Sequence, residues 1–168
     1  MKIFIYNPDH PASLRAAELL VSLECEMCED IKTADLAIAP MLNKKLSLPE
    51  FTAPRLGTLI FHPSLLPRHR GPDAIKWAYK LNESYTGVTW FWCAEGFDTG
   101  DICEQEVVAI DPTIRPKIFY EEIITPAMLR TLGRAVEDLR RGVVRRIPQN
   151  ESAATYESKI PQVSYVNN

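Results

Sequence analysis

The chain has 168 residues, 46% of them hydrophobic and 24% charged, enough apolar material to bury a core and room for one ordinary domain. Nineteen Lys and Arg against 22 Asp and Glu leave a net charge of −3, which argues against a general nucleic-acid binder. No apolar run approaches the roughly 18 residues that cross a bilayer, and the stretch after Lys2 is too short for a secretory leader, so a cytoplasmic protein with no membrane partner is expected.

Residues 2–6, KIFIY, are a short β-rich run closed by Asn7-Pro8-Asp9, the pattern of a buried strand and its turn. Pro11 suits a first helical turn, and Ala16, Leu19, Leu20 and Leu23 at i, i+3, i+4 and i+7 predict an amphipathic helix over 12–23. Cys25 and Cys28 form a CxxC, but no second pair stands at metal-ligand spacing. Glu24, Glu26, Glu29 and Asp30 around them disfavour a reactive thiolate, and no metal is expected. Cys93 and Cys103 sit in apolar surroundings, where a thiol acts as a small hydrophobe.

DLAIA, 35–39, predicts a second strand stopped by Pro40. The mixed segment 41–54 reads as loop with one short helical turn. GTLIF, 57–61, is a third strand, and it delivers His62 at its C-terminal end. Three prolines within residues 62–72 exclude helix and central strand there. A helix is expected over 73–81, a strand bulky on both faces over 86–93, turns over 94–101 and a strand over 102–110. Ile124, Met128, Leu132, Ala135 and Leu139 line a long helix over 117–141, with Pro126 to kink it and Gly142 to cap it. From Arg145 the chain is polar and without period, so it is expected to lie over the surface or fray. Alternating strands and helices followed by a ribbon and a closing helix predict an α/β fold, a twisted and mostly parallel sheet with helices on both faces. Chemistry in such sheets sits beyond the carboxyl ends of the strands, where His62 falls.

Groups fit for acid–base work are few. His10 lies in a proline-bounded turn, and His69 between Arg68 and Arg70 reads as solvated. His62 reads either as a catalytic group or as a buried, hydrogen-bonded structural histidine. Asp98, between glycines that let the backbone turn sharply, reads either as its partner or as part of a solvated acidic turn.

The strings HPSLLPRHRG (62–71), TGVT (86–89) and EGFDTGDI (95–102), in this order and with His62 and Asp98 thirty-six positions apart, resemble the formyltetrahydrofolate-dependent formyltransferase family. HPSLLPRHRG matches best the string of the 10-formyltetrahydrofolate hydrolase domain. The resemblance is good from Leu56 to Ile110, looser to Gly142 and thin before residue 56. It implies a Rossmann-like formyltransferase fold with a catalytic domain over 1–143 and a tail over 144–168. It implies 10-formyltetrahydrofolate as formyl donor, tetrahydrofolate as product and a small amine as acceptor, through a tetrahedral intermediate. Catalytic roles fall on His62 and Asp98. The loop Ala94, Glu95, Gly96, Phe97 to Gly100 is similar to the one that cradles the pterin, and Met41 and Leu42 to the opposite wall. A protonated His62 would donate to the developing oxyanion, and Asp98 would orient its ring and relay a proton. Arg68 and Arg70 would meet an anionic acceptor or the folate glutamate tail, or remain solvated.

One departure matters. Family transferases carry Asn two residues before the histidine, and here that position is Ile60, which donates no hydrogen bond. An apolar residue there is similar to the hydrolase domain, so hydrolysis to formate is the alternative, and a silent folate-binding module is a second one. About 30 residues separate Tyr6 from Ala39, fewer than the family's usual strand–helix material, so a reduced N-terminal half is expected. With no tRNA-reading domain expected after the long helix, the acceptor is a small molecule or water. Homodimerisation is compatible with this reading, which names no particular amine.

Overall fold

The computed structural model describes residues 1–161. Strand β1 (Lys2–Ile5) leads into helix α1 (Pro11–Ser22), whose cap is His10: its Nδ1 accepts the Ala12 N–H at 3.2 Å. β2 (Glu26–Met27), a two-residue strand bracketed by Cys25 and Cys28, carries no sequence signal because it is too short to show a period. β3 (Leu36–Ala39), α2 (Leu48–Thr52), β4 (Thr58–His62), α3 (Ala74–Lys80), β5 (Tyr85–Trp92) and β6 (Ile102–Ala109) follow close to their expected places. The short helical turn expected within 41–54 is α2, fastened by a Ser47–Glu50 capping box.

The long helix departs from expectation. It starts as α4 (Pro116–Phe119), widens into a π-helical turn over Tyr120–Ile124, and continues as α5 (Thr125–Arg140). Pro126 is the cause, acting upstream of itself: it has no N–H, and its ring crowds the carbonyl four residues back. The backbone therefore closes one residue wider, with both the N–H and the Oγ1 of Thr125 donating to Tyr120 O.

The six strands lie in the order β2-β1-β3-β4-β5-β6. β2 through β4 pair in parallel, whereas β4–β5 and β5–β6 are antiparallel, so the sheet is mixed. Alternation sorts its residues between two unequal faces. Ile3, Ile5, Leu36, Ile38, Leu59, Phe61, Val88 and Trp90 face a large core closed by α1, α3 and α5. Phe4, Tyr6, Ala37, Ala39 and Ile60 face the other way, onto a small cluster with Leu46 and Phe51 of the α2 segment. Small alanines and a short helix leave this second face incompletely covered, and the cleft described next opens there.

The chain beyond Arg145 does not fray within the described residues. Ile147 bridges to Ile102, and Tyr156 bridges in parallel to Arg70, so this segment straps the loops at the end of β4.

Candidate active site

His62 ends β4 on the same side of the strand as Ile60, two residues earlier, and faces a cleft of about 700 Å³. It is 7% exposed. Its Nε2 lies 2.7 Å from the carbonyl oxygen of His69, and a carbonyl only accepts, so Nε2 carries a proton. That fixes the tautomer. Nδ1 is the nitrogen left to exchange protons, and it points at the Asp98 carboxylate, 3.7 Å away.

Asp98 reaches this position by an unusual route. β5 runs antiparallel to β4 with Trp92 opposite Leu59, so the 93–101 loop leaves the sheet beside the start of β4. Cys93 donates its N–H to Thr58 O at 2.7 Å there. The loop then doubles back about four residues, roughly 13 Å, to bring Asp98 to His62 at the other end. Close approach and a left-handed residue make the return feasible. A Cβ on Gly100 would lie 1.7 Å from Trp92 O, and Asp98 itself has φ 54. The Asp98 Oδ2 accepts the Gly71 N–H at 2.7 Å. Gly71 (φ +93) is dictated by its neighbour, since a Cβ there would meet Glu157 O at 2.6 Å.

The remaining walls are mostly apolar: Met41, Leu42, Ile60, Phe91 and Phe97, with Ala94, Gly96 and Cys93 between them, and with Lys44, Lys45 and Asp73 as the charged residues of the lining. Asn7 holds the 41–42 wall by donating from Nδ2 to Met41 O at 2.9 Å. Glu95 and Gly100 belong to the loop but not to the cleft lining; Glu95 is exposed and Gly100 is buried against Trp92. Burial pushes the Cys93 thiol up to about 11, so it is no nucleophile at neutral pH. Burial also holds Tyr6 up at about 12. Tyr120, on the π turn, and Tyr156, on the strap, line the cleft as well. Neither carries a local signal, because the first depends on a helix distortion and the second on a segment without period.

Two expectations are corrected. His69 is not solvated: it is 3% exposed, and its two ring nitrogens lie 3.0 Å from carboxylate oxygens of Glu83 and Glu157. Arg68 and Arg70 do not point at an anion site either. Arg68 is exposed, as its solvated alternative has it, and pairs with Glu83, whereas Arg70 is buried and pairs with Gln149 and Glu151. The arginine-rich look of PRHRG comes from tying the loop down.

A buried histidine with one free nitrogen beside a carboxylate can give and take a proton in a mostly apolar cleft. A formyl transferase family model matches residues 16–129 of this chain. The chain belongs to the formyl transferase family. It is a formyltetrahydrofolate-dependent formyltransferase-family domain. Over 124 residues it is 36% identical to the human cytosolic 10-formyltetrahydrofolate dehydrogenase, covering 74% of this chain and 14% of that one. It is 33% identical over 126 residues to the methionyl-tRNA formyltransferase of Methylacidiphilum infernorum, covering 75% and 39%. The chain thus spans about a seventh of the length of the dehydrogenases it matches. Among solved structures, HypX from Aquifex aeolicus in complex with tetrahydrofolic acid superposes with a TM-score of 0.84 at 26% identity, over 96% of this chain and 30% of that one. The formyltransferase PseJ from Anoxybacillus kamchatkensis, in complex with a formamido sugar nucleotide and tetrahydrofolate, gives 0.72 at 26% identity, over 94% and 85%. Formyl transferase geometry thus explains why the two strings around His62 and Asp98 converge on one cleft.

Proposed function

We propose that this chain takes the formyl group from 10-formyltetrahydrofolate and passes it to a small amine, with His62 and Asp98 as its catalytic pair. The observation that carries the reading is His62 Nδ1, freed by the Nε2–His69 O bond and set 3.7 Å from the Asp98 carboxylate inside the cleft. The apolar walls fit a folate: Met41, Leu42, Phe91 and Phe97 suit the faces of a flat heteroaromatic ring. The N–H groups of residues 95–97 take no backbone partner among the described residues and are free to read its edge. When bound, the folate supplies the activated formyl carbon. His62, protonated at Nδ1, donates to the oxygen that gains negative charge while Asp98 accepts the proton shed by the incoming nucleophile; collapse of the tetrahedral carbon then breaks its bond to N10, which leaves with the proton from His62. In this reading residues 1–143 form the catalytic domain and 144–168 the tail, which straps it as far as residue 161 while 162–168 lie outside the described residues; the setting is cytoplasmic, as for the cytosolic human relative.

A second reading, hydrolysis to formate and tetrahydrofolate, is favoured by Ile60. An apolar side chain beside the pair provides no donor for an oxyanion and suits water as the acceptor. Incubating the protein with 10-formyltetrahydrofolate alone separates the two. Tetrahydrofolate release that disappears in His62→Ala and Asp98→Ala supports hydrolysis. Release only after an amine is added supports transfer, and no folate binding refutes both.

A further inference from the structure

We propose that Gln149, on the strap beyond the long helix, is a positioning residue that holds Asp98 against His62. The inference rests on the catalytic reading of that pair. Two loops must be kept in register for it to work. The 69–71 loop supplies both anchors: His69 O fixes His62 Nε2, and the Gly71 N–H fixes the Asp98 carboxylate. The 93–101 loop reaches them only by doubling back across the sheet. Gln149 joins the two. Its Nε2 donates to Asp98 O at 2.8 Å and to Gly100 O at 2.7 Å, and its Oε1 accepts from Arg70 Nε at 3.1 Å and Nη2 at 2.8 Å.

All four hydrogen-bonding sites of a primary amide are therefore used, two donors on one loop and two acceptor lone pairs on the other. Gln149 is buried, so water does not readily replace these bonds. Arg70 is itself held from the far side by Glu151, at 2.6 and 2.9 Å. No other side chain supplies this set: Glu has no donors, Leu has neither kind, and Asn is one methylene too short. A bond to the Asp98 carbonyl sets the backbone from which the carboxylate projects. Losing it frees the carboxylate by the order of an ångström, the scale on which proton transfer fails.

A merely structural strap would behave differently, and Trp77 provides the comparison. Its Nε1 donates to Ser158 O at 2.8 Å, fastening the same strap away from the cleft. The experiment measures kcat and KM for 10-formyltetrahydrofolate in Gln149→Leu, Gln149→Glu and Trp77→Phe, with melting temperatures and the ring ¹⁵N shifts of His62. Expected for both Gln149 variants is a fall in kcat of roughly ten- to a hundredfold with KM within roughly threefold. The His62 Nδ1 signal should move as it does in Asp98→Asn. Trp77→Phe should lose melting temperature yet keep kcat. Gln149 variants that keep kcat within roughly twofold overturn the proposal, as does an equal loss in Trp77→Phe. If the unaltered protein turns over no formyl folate, the catalytic reading fails. The ¹⁵N shifts then decide positioning alone, and an unmoved Nδ1 in Gln149→Leu overturns it.

Discussion

Ile60→Asn restores the donor type usual in the family and separates transfer from hydrolysis. Residue 60 sits between Ala39 and Phe91 in the sheet and projects into the cleft on the His62 side, about 7 Å along the strand. The structure sets the cost. Ile60 is only partly buried, against the Tyr6–Phe51 cluster, so removing it forfeits about half of a full aliphatic burial, roughly 0.8–1.5 kcal/mol. The new amide opens onto the cleft and stays solvated, which adds little. A chain of this size should therefore melt about 2–6 °C lower. The gain is the reverse of losing one oxyanion donor, up to about 10²–10³ in rate and roughly tenfold if the amide is imperfectly aimed. The assay follows tetrahydrofolate appearance with hydroxylamine as acceptor and formate appearance without it, well below the melting point. Faster transfer with little change in formate release is expected. A folded variant whose transfer rate stays within about twofold of the parent would refute the idea that residue 60 sets oxyanion stabilisation.

Asp98→Asn keeps an oxygen for the Gly71 N–H, so the fold should survive while turnover falls by about 10²–10⁴, which a steady-state assay beside a melting curve will test. Gly100→Ala drives a methyl group into Trp92 O and should cost roughly 3 kcal/mol or more, measurable by urea unfolding; a loss below about 1 kcal/mol would mean the loop is free to shift. Cys93, held at about 11 against an ordinary 9, stays protonated where a free thiol ionises. At pH 8 it should alkylate roughly a hundredfold more slowly than a free thiol, accelerate as pH rises towards 11, and be protected by bound folate. The same shift makes stability fall between pH 9 and 11, where only the unfolded thiol ionises. With Arg68 and Arg70 spent on their own loop and Lys44 paired with Glu50, Lys45, 5.4 Å from the Phe97 ring at the cleft, is among the described residues the lining cation left to meet a ligand's anionic end. Lys45→Ala should raise KM for the folate roughly threefold, less so in high salt, while Arg68→Ala leaves it unchanged.

Elements whose signal is local periodicity or punctuation were legible. The α1 stripe, the β-rich run of β4, the alternation of β5 and the proline-rich 62–72 segment all announce themselves within a few residues. His62 and Asp98 were legible only as two strings at a fixed separation, since neither residue alone distinguishes a catalyst from a satisfied core histidine or a turn aspartate. What escaped is whatever depends on distant partners. His69 and Arg70 look solvated because charged neighbours usually are, and their carboxylates lie at Glu83, Glu151 and Glu157. β2 borrows its conformation from β1, and Tyr120 enters the cleft only because Pro126 widens the helix before it.

The change of strand direction at β5 ties these observations together. Had β5 run parallel to β4, the loop after it would begin beside His62, and an aspartate could reach the histidine within a residue or two. Because β5 is antiparallel, the carboxylate starts from the wrong end and must cross the face that Ile60 and Cys93 occupy. That crossing requires a glycine packed on Trp92 O, a left-handed aspartate and an external clamp, and all three are present in Gly100, Asp98 and Gln149. It also brings the loop to the cleft that residue 60 lines, so the side chain there lies in the same cleft as both members of the proposed pair. The identity of residue 60 and the fastening of the strap are thus coupled: in the same transfer assay Gln149→Leu should cancel most of the gain expected of Ile60→Asn, and a double variant that keeps the full gain would show the two positions to be independent.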